Sequence, residues 1–234
     1  MSRRLVVPEP EEVDREISVT HAWWTFQARY NVRRGHSVPV VRMHDGASEG
    51  VMLRWGFPTR KVEGAVVQGT ALVSRDALAS SLDAQAAWDG AKRAVVPLAG
   101  FYVWQLNLKG IRQPHYVRLV ARSVFGVAAL WQRTVSDDNK DDVIESCALL
   151  TLASNSLLLE IDSGSSEMLA ILRRDDYRTW LTGSALEAAA VLKAYPAEVQ
   201  EQAWQAVTDV AHSHAADDGS VRMSNLVLVA AGRA

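Results

Sequence analysis

The most informative part of the sequence is Val95-Val96-Pro97-Leu98-Ala99-Gly100-Phe101-Tyr102-Val103-Trp104. β-branched and aromatic residues flank its central glycine, which predicts two short strands that follow one another directly. Further β-rich runs lie on both sides of this stretch, separated by Gly, Pro, Asn and Asp. The predicted strands are Val38–Met43, Gly50–Trp55, Ala65–Gln68, Ala94–Val96, Phe101–Gln105, His115–Leu119, Val127–Gln132 and Ser146–Ala153. Asp45-Gly46 predicts a hairpin turn, and residues 137–142 predict a polar loop between two strands.

Helical spacing occurs between and after these runs. The predicted helices are Glu11–Ile17, Ser74–Trp88, Arg174–Leu181, Ser184–Leu192 and Glu198–Val210. Strands and helices do not alternate strictly, so the α+β class fits better than α/β, with antiparallel sheets and peripheral helices. No linker or internal repeat divides the chain, and we expect one domain over residues 1–234.

The composition is that of an ordinary globular protein, with 48% hydrophobic and 22% charged residues. No apolar run reaches the length of a membrane span, and the N-terminus lacks the apolar segment of a secretory signal. We therefore expect a cytoplasmic protein without a membrane partner. The single cysteine, Cys147, excludes an internal disulfide, and its apolar surroundings predict a small hydrophobic residue in a buried strand.

The net charge of -2 gives no general attraction to nucleic acid, but the charge is unevenly distributed. Residues 1–61 hold ten Lys and Arg against seven Asp and Glu, which permits a local basic surface. His212 and His214 lie near Asp209, Asp217 and Asp218, but histidines two residues apart are poorly placed for one metal ion. A polar surface segment is the better interpretation, and no phosphate-binding glycine loop is present either. We expect neither a metal nor a cofactor.

Several segments, in order along the chain, resemble the SRAP (SOS-response-associated peptidase) family. They are Arg29-Tyr30-Asn31-Val32, Val38-Pro39-Val40-Val41-Arg42, Leu53-Arg54-Trp55-Gly56, Val95-Val96-Pro97, Gly100-Phe101-Tyr102-Val103-Trp104, Gln113-Pro114-His115-Tyr116, Gly126 to Trp131, Glu145-Ser146-Cys147 through Thr151, Asp176-Tyr177, Trp180-Leu181 and Tyr195-Pro196-Ala197-Glu198. The resemblance covers roughly residues 1 to 200, and the last thirty residues match poorly.

This resemblance implies a β-barrel-type α+β fold with a cleft for single-stranded DNA, and a role at abasic sites. In the family, removal of the initiator methionine exposes a cysteine. Its α-amine attacks the ring-opened abasic sugar, and its thiol closes a stable ring. An Asn in Asn-Ala-Arg, a Glu in Gly-Phe-Tyr-Glu-Trp and a His in Ile-His-Asp-Arg assist this chemistry. Such chemistry needs a neutral amine and a positioned acid and base.

All four family positions differ in this chain. Ser2 stands in place of the cysteine, Val103 in place of the glutamate, and Asp162 in place of the histidine. For the asparagine, Thr70 in Thr70-Ala71-Leu72 is the preferred alignment, and Gln68-Gly69 is the alternative. These four departures predict a pseudoenzyme, with no confident catalytic residue.

Two classes of function stay open at this stage. The first is a DNA-damage protein, of a kind often carried on mobile elements, that binds single-stranded DNA without covalent chemistry. Its predicted phosphate contacts are Arg3, Arg4, Arg29, Arg33 and Arg34. The second is a protein-interaction or scaffold protein that has kept only the fold, for which the adjacent Trp23 and Trp24 offer an exposed contact. A third and weaker alternative is a residual Schiff-base or peptidase-type activity of the Ser2 amine, or an enzyme of new specificity that uses Asp162 and Thr70. The sequence leaves the oligomeric state undetermined.

Overall fold

A computed structural model describes residues 4–62, 65–67, 69–106, 110, 112–119, 122–135, 143–161, 164, 166–193 and 226–229. The strands are β1 (Arg4–Val7), β2 (His21–Ala22), β3 (Arg29–Val32), β4 (Ser37–His44), β5 (Ala47–Trp55), β6 (Arg60–Val62), β7 (Ala65–Val67), β8 (Leu72–Ser74), β9 (Arg93–Leu98), β10 (Gly100–Leu106), β11 (Arg112–Leu119), β12 (Phe125–Val135), β13 (Val143–Ala153), β14 (Glu167–Leu169) and β15 (Leu226–Val229). The helices are α1 (Pro10–Glu16), α2 (Leu82–Asp89), α3 (Ser156–Ile161), α4 (Asp176–Thr182) and α5 (Ala185–Lys193), with a 3₁₀ helix at Arg75–Ser80.

Five strands close into a barrel. β13, β12, β9, β4 and β5 are neighbours in that order, and all four of these pairings are antiparallel. The ring closes where β13 runs parallel to β5, with Ser146 opposite Arg54 and Cys147 opposite Trp55. β2, β8 and β14 extend the sheet at the edges of this ring. The α+β class with a barrel-type sheet, expected from the sequence, is therefore confirmed.

A second sheet has the order β15-β11-β10-β1-β3, and β6 pairs with β7 in a separate two-stranded sheet. In the second sheet β10 pairs antiparallel with both β1 and β11. The Val95–Trp104 stretch therefore supplies a strand to each of the two large sheets. Within this stretch β9 belongs to the barrel and β10 to the five-stranded sheet. The turn at Ala99 thus joins the two halves of the fold.

Two hydrophobic cores follow from the alternation of side chains along the strands. Val38 and Val40 of β4 face a core shared with the five-stranded sheet. Val41, on the opposite face of β4, belongs to a second core beneath α2, α4 and α5. The barrel strands are therefore apolar on both faces, which explains their nearly continuous runs of Val, Ala and Leu.

Helix α4 is attached to the barrel by two aromatic side chains that also belong to the family-like segments. The Trp180 indole nitrogen donates to the Ala94 carbonyl at 2.8 Å, and the Arg93 Nε donates to the Trp180 carbonyl at 2.6 Å. The Tyr177 hydroxyl accepts from the Gly126 backbone nitrogen at 2.7 Å and donates to Glu16 Oε1 at 2.8 Å. These bonds give Tyr177 and Trp180 a structural role.

The eight predicted strands are present, with Gln68 of the third outside the described residues, and four of the predicted helices are present with shifted boundaries. Asp45 and Gly46 have φ angles of 48° and 79°, as a tight hairpin turn requires. The helix predicted over Ser74–Trp88 was wrong in one respect, because it divides at Ser81 into a 3₁₀ helix and α2. The Ser81 hydroxyl caps α2 by accepting from the Ala84 nitrogen, and this cap sets the new helix start. The Glu198–Val210 helix and the 137–142 loop lie outside the described residues.

Within the part of the chain that the structure describes, no helix is long and apolar enough to cross a membrane. The described residues hold no group of three or more His, Cys, Asp or Glu suited to a metal ion. His212 and His214 are not among them.

Candidate nucleic-acid interface

An open cavity of about 570 Å³ lies where the ends of several strands meet. Its described lining residues are Arg4, Arg33, Arg34, Trp55, Thr70, Ala71 and Leu72. Arg4 begins β1, Arg33 and Arg34 follow β3, and Trp55 ends β5. Because β1 pairs with β3, arginines that are 29 residues apart in the sequence meet at one site. Three of the five predicted phosphate contacts thus line the same cavity.

A fourth predicted contact, Arg29, belongs to the same positive cluster. Its Nη2 donates to His36 Nδ1 at 2.9 Å. Burial, followed by the nearby charges of Arg29, Arg33 and Arg4, lowers the pKa of His36 below its usual value. The imidazole is therefore neutral at pH 7, with Nδ1 as the acceptor and the proton on Nε2. No Asp or Glu is found among the described lining residues, so the cavity has a positive potential.

Arg34 also has a structural role in the cavity wall. Its Nη2 donates to the Gly69 carbonyl at 2.6 Å, which fixes the segment just before β8. The Arg34 stem passes over Gly56, where a Cβ would lie 3.0 Å from Arg34 Cγ. Gly56 also has a φ of +105°, a conformation that favours glycine. The glycine of Leu53-Arg54-Trp55-Gly56 thus allows this arginine to reach the cavity wall.

Thr70 lies in the wall of this cavity, at the position aligned with the family asparagine. Its hydroxyl donates to the Leu72 carbonyl at 2.6 Å, and its own carbonyl accepts from the Phe57 nitrogen at 2.8 Å. The Trp55 indole donates to the neighbouring Ala71 carbonyl at 3.0 Å. Because the only hydroxyl proton of Thr70 is already engaged, Thr70 is held as a wall residue rather than as a proton donor.

Val103 lies elsewhere. It is 4% exposed, belongs to the first core together with Phe101, and is not among the described residues of the cavity lining. Its neighbours Tyr102 and Trp104 face the other side of β10, with Tyr102 opposite Arg4. Val103, which the sequence resemblance aligned with the family glutamate, is therefore part of the hydrophobic core.

The other predicted site residues, Ser2, Arg3 and Asp162, lie outside the described residues. Sequence reasoning did not name His36, Ala71 or Leu72 as site residues. His36 had a usable signal, because it follows Arg33-Arg34-Gly35 directly. Ala71 and Leu72 are apolar, and only the pairing of β8 with β13 brings them to this place.

Cys147 is fully buried in the first core, and burial raises the pKa of its thiol to about 12. A thiol with this pKa is not a nucleophile at neutral pH, which confirms its interpretation as a small hydrophobic residue. Trp23 is 71% exposed, whereas Trp24 packs against the second core and Gly50. Of the exposed contact predicted at these adjacent tryptophans, only the Trp23 part is present, because Trp24 is packed against the core.

The fold and the cavity define an α+β protein with a closed five-stranded barrel and an arginine-lined cleft. The family model described as SOS response associated peptidase (SRAP) matches residues 1–213, and the chain belongs to this family. The family resemblance noted in the sequence is therefore confirmed. No curated protein sequence matches the chain.

Solved structures with a similar fold include three bacterial proteins. A Bordetella bronchiseptica protein superposes with a TM-score of 0.69 at 19% identity, covering 85% of this chain and 96% of its own. A phage-related protein from the same organism has a TM-score of 0.64 at 18% identity, covering 85% and 91%. A Bacteroides thetaiotaomicron protein has a TM-score of 0.60 at 22% identity, covering 70% and 72%. At such identities these similarities establish the fold alone.

Proposed function

We propose that this SRAP-family protein binds single-stranded DNA non-covalently in the arginine-lined cavity, in a DNA-damage context, without forming the durable crosslink of its family. The observation that carries the proposal is the convergence of Arg4, Arg33 and Arg34 on one open cavity. Guanidinium groups bind phosphates through charge and directed hydrogen bonds, and a single strand offers one phosphate per nucleotide. The described lining of this cavity holds no carboxylate, and the Arg29 and Arg33 charges lie close enough to His36 to lower its pKa.

The lack of family chemistry is the second part of the proposal. Val103 supplies no acid or base, and the Thr70 hydroxyl already donates its proton to the Leu72 carbonyl. Ser2 in place of the cysteine removes the thiol that closes a stable ring. An α-amine at Ser2 would form at most a reversible Schiff base, since imines hydrolyse readily unless they are trapped.

The experiment uses a labelled single-stranded oligonucleotide and fluorescence anisotropy at low salt. We expect binding by the natural chain, weaker binding by Arg33→Ala, and unchanged binding by Arg133→Ala. Arg133 is an exposed arginine on β12 outside the described lining of the cavity, so its removal changes the net charge equally. The proposal is wrong if no binding occurs at low salt, or if both variants weaken binding to the same extent.

Covalent chemistry is tested separately with an oligonucleotide that carries one abasic site. We expect no crosslink that survives denaturing electrophoresis, either with or without borohydride. A crosslink that appears only with borohydride would indicate a reversible Schiff base of Ser2. A crosslink without borohydride would contradict the proposed loss of family chemistry.

The alternative is a protein-interaction or scaffold role, favoured by the large exposed aromatic side chains Trp23 and Tyr30, which are 71% and 70% exposed. Exposed aromatic residues are enriched at protein interfaces. Light scattering of the purified chain tests this alternative. A dimer that Trp23→Ser dissociates, in a protein that fails to bind DNA, would favour it over the DNA-binding proposal.

A further inference from the structure

A second cavity, of about 740 Å³, lies on the helical side of the barrel. It is bounded by α4, by the segment that follows α1, and by the hairpin between β4 and β5. It shares no described lining residue with the arginine-lined cavity near Thr70. Its volume is in the range of cavities that hold small organic ligands.

The rear wall of this cavity is fixed by hydrogen bonds. Glu16 Oε1 accepts from the Tyr177 hydroxyl at 2.8 Å and from Arg122 Nη1 at 3.0 Å. Arg174 donates from Nε to the Glu16 carbonyl at 3.1 Å and from Nη2 to the Arg15 carbonyl. The only described carboxylate in the lining is therefore already matched by a guanidinium, and it leaves the cavity no uncompensated negative charge.

Arg178 supplies the guanidinium that is open to a ligand, whereas that of Arg174 is already bound to two backbone carbonyls. It lies on α4 in the cavity lining, its side chain is exposed, and its guanidinium makes no hydrogen bond or ion pair with any residue that the structure describes. Hydroxyls of Ser18, Thr20 and Ser48 belong to the same lining. The Thr20 and Ser48 hydroxyl oxygens lie 3.2 Å apart, and a hydrogen bond between them uses only one of their two protons, so the other proton can be donated to a ligand oxygen.

Most of the remaining lining is apolar. Met43 and Leu181 are half-buried and Ile17 is 5% exposed, whereas Val41 is fully buried. A bound molecule would therefore meet an apolar surface on one side and a guanidinium with hydroxyl groups on the other. This combination favours a ligand that has both an apolar body and an anionic group.

We propose that this second cavity is a binding site for a small organic anion, whose carboxylate or phosphate pairs with Arg178 and whose apolar body rests on Met43 and Leu181. The site is independent of DNA binding, because Arg33 and Arg34 contribute nothing to it. Neither the charge alone nor the apolar body alone suffices, because each would fill only one half of the cavity.

The test is a titration of the full chain by calorimetry with four probes. Phenyl phosphate and phenylacetate carry both features, inorganic phosphate carries only the charge, and benzyl alcohol carries only the apolar body. We expect the two aromatic anions to bind at least about tenfold more tightly than the other two probes. Whichever aromatic anion binds more tightly identifies the phosphate or the carboxylate as the preferred group. Equal affinity of all four probes, or no binding of either aromatic anion, would overturn the proposal.

Three variants locate the site. Arg178→Gln should weaken the binding of phenyl phosphate about tenfold or more, as expected for the loss of a charged hydrogen bond. Ser18→Trp, at an exposed loop position, should block the cavity without disturbing the core. Arg133→Gln is the charge-matched control and should bind like the natural chain. Unchanged affinity in both cavity variants, or equal loss in the control, would place the binding elsewhere and refute the assignment.

Discussion

The replacement Val103→Glu restores the family residue type at a position that now belongs to the hydrophobic core. Val103 is 4% exposed and packs in the first core, where the described neighbours are apolar. Removing its buried side chain costs about 1.5–3 kcal/mol of folding free energy. Burying a carboxyl group without a partner adds about 1–3 kcal/mol. We therefore expect a loss of about 2.5–6 kcal/mol, a large part of the ~5–15 kcal/mol that stabilises a domain.

The pH dependence of the stability of Val103→Glu distinguishes the effect of the new charge from the effect of the altered side-chain shape. Burial would raise the pKa of the new carboxyl group above its unfolded value, so the unfolded chain would hold fewer protons than the folded one. The variant should therefore lose stability as the pH rises through the unfolded pKa of about 4.3 towards the raised folded pKa. Urea unfolding followed by tryptophan fluorescence, at about pH 5 and about pH 8, should show the larger loss at the higher pH.

Val103→Thr is the matched control, because it keeps the shape and adds only a hydroxyl. Its loss should be smaller and independent of pH in this range. If Val103→Glu unfolds at the natural midpoint at both pH values, Val103 lies in contact with water or with a basic partner. In that case the family position would still be part of the cleft, and our assignment of Val103 to the core would be wrong.

Three other predictions follow from the charges and the burial of single residues. Arg33→Ala should reduce the slope of log affinity for single-stranded DNA against log salt by about 0.7, measured by anisotropy, and an unchanged slope would remove Arg33 from the interface. Arg42→Ala should lower the free energy of unfolding in urea by about 3–5 kcal/mol, because it leaves the buried Glu49 carboxylate without its guanidinium. A decrease below about 1 kcal/mol would show that water takes the place of the guanidinium. Arg42 Nε lies 2.6 Å from Glu49 Oε1, and the guanidinium is stacked 4.1 Å from the Trp131 ring centroid. Because burial raises the pKa of Cys147 to about 12, iodoacetamide should label it only in urea, and mass spectrometry of the native protein should show no adduct.

Strand positions were predictable because the barrel strands carry β-branched residues in runs bounded by turn residues. β4 and β5 are joined by Asp45-Gly46, which specifies a hairpin locally. β1 and β3 lacked such a signal, since Arg4–Val7 is only four residues long and Arg29–Val32 exposes three polar or aromatic side chains. These two strands exist because each pairs with a neighbour distant in the chain, and such pairing leaves no local pattern.

Barrel closure could not be predicted from the sequence for the same reason. It depends on the parallel pairing of β13 with β5, which joins residues about ninety positions apart, Ser146 with Arg54 and Cys147 with Trp55. Parallel pairing needs a long connection, and no local pattern fixes its register.

The arginines of the candidate site were predictable by residue type, and four of the five predicted contacts are found in one cluster. Their positions were not predictable, because Arg4 meets Arg33 only through the pairing of β1 with β3. The hydrogen bond from Arg34 to the Gly69 carbonyl could not be predicted either, since it depends on the backbone conformation of Gly56. A sequence therefore indicates which charges are available, and the sheet topology decides which of them act together.

The interactions that hold this fold together are separate from the positions that carry chemistry in the family. Tyr177 and Trp180 attach α4 to the barrel, Arg42 joins Glu49 and Glu145, and none of these residues lines the arginine-rich cavity. Val103 likewise belongs to the first core and makes no contact with this cavity in the described lining. By contrast, Arg34 links the two regions, because it lines the cavity and also donates to the Gly69 carbonyl. The wall of the positively charged cleft therefore depends on Arg34 and on the close approach that Gly56 permits.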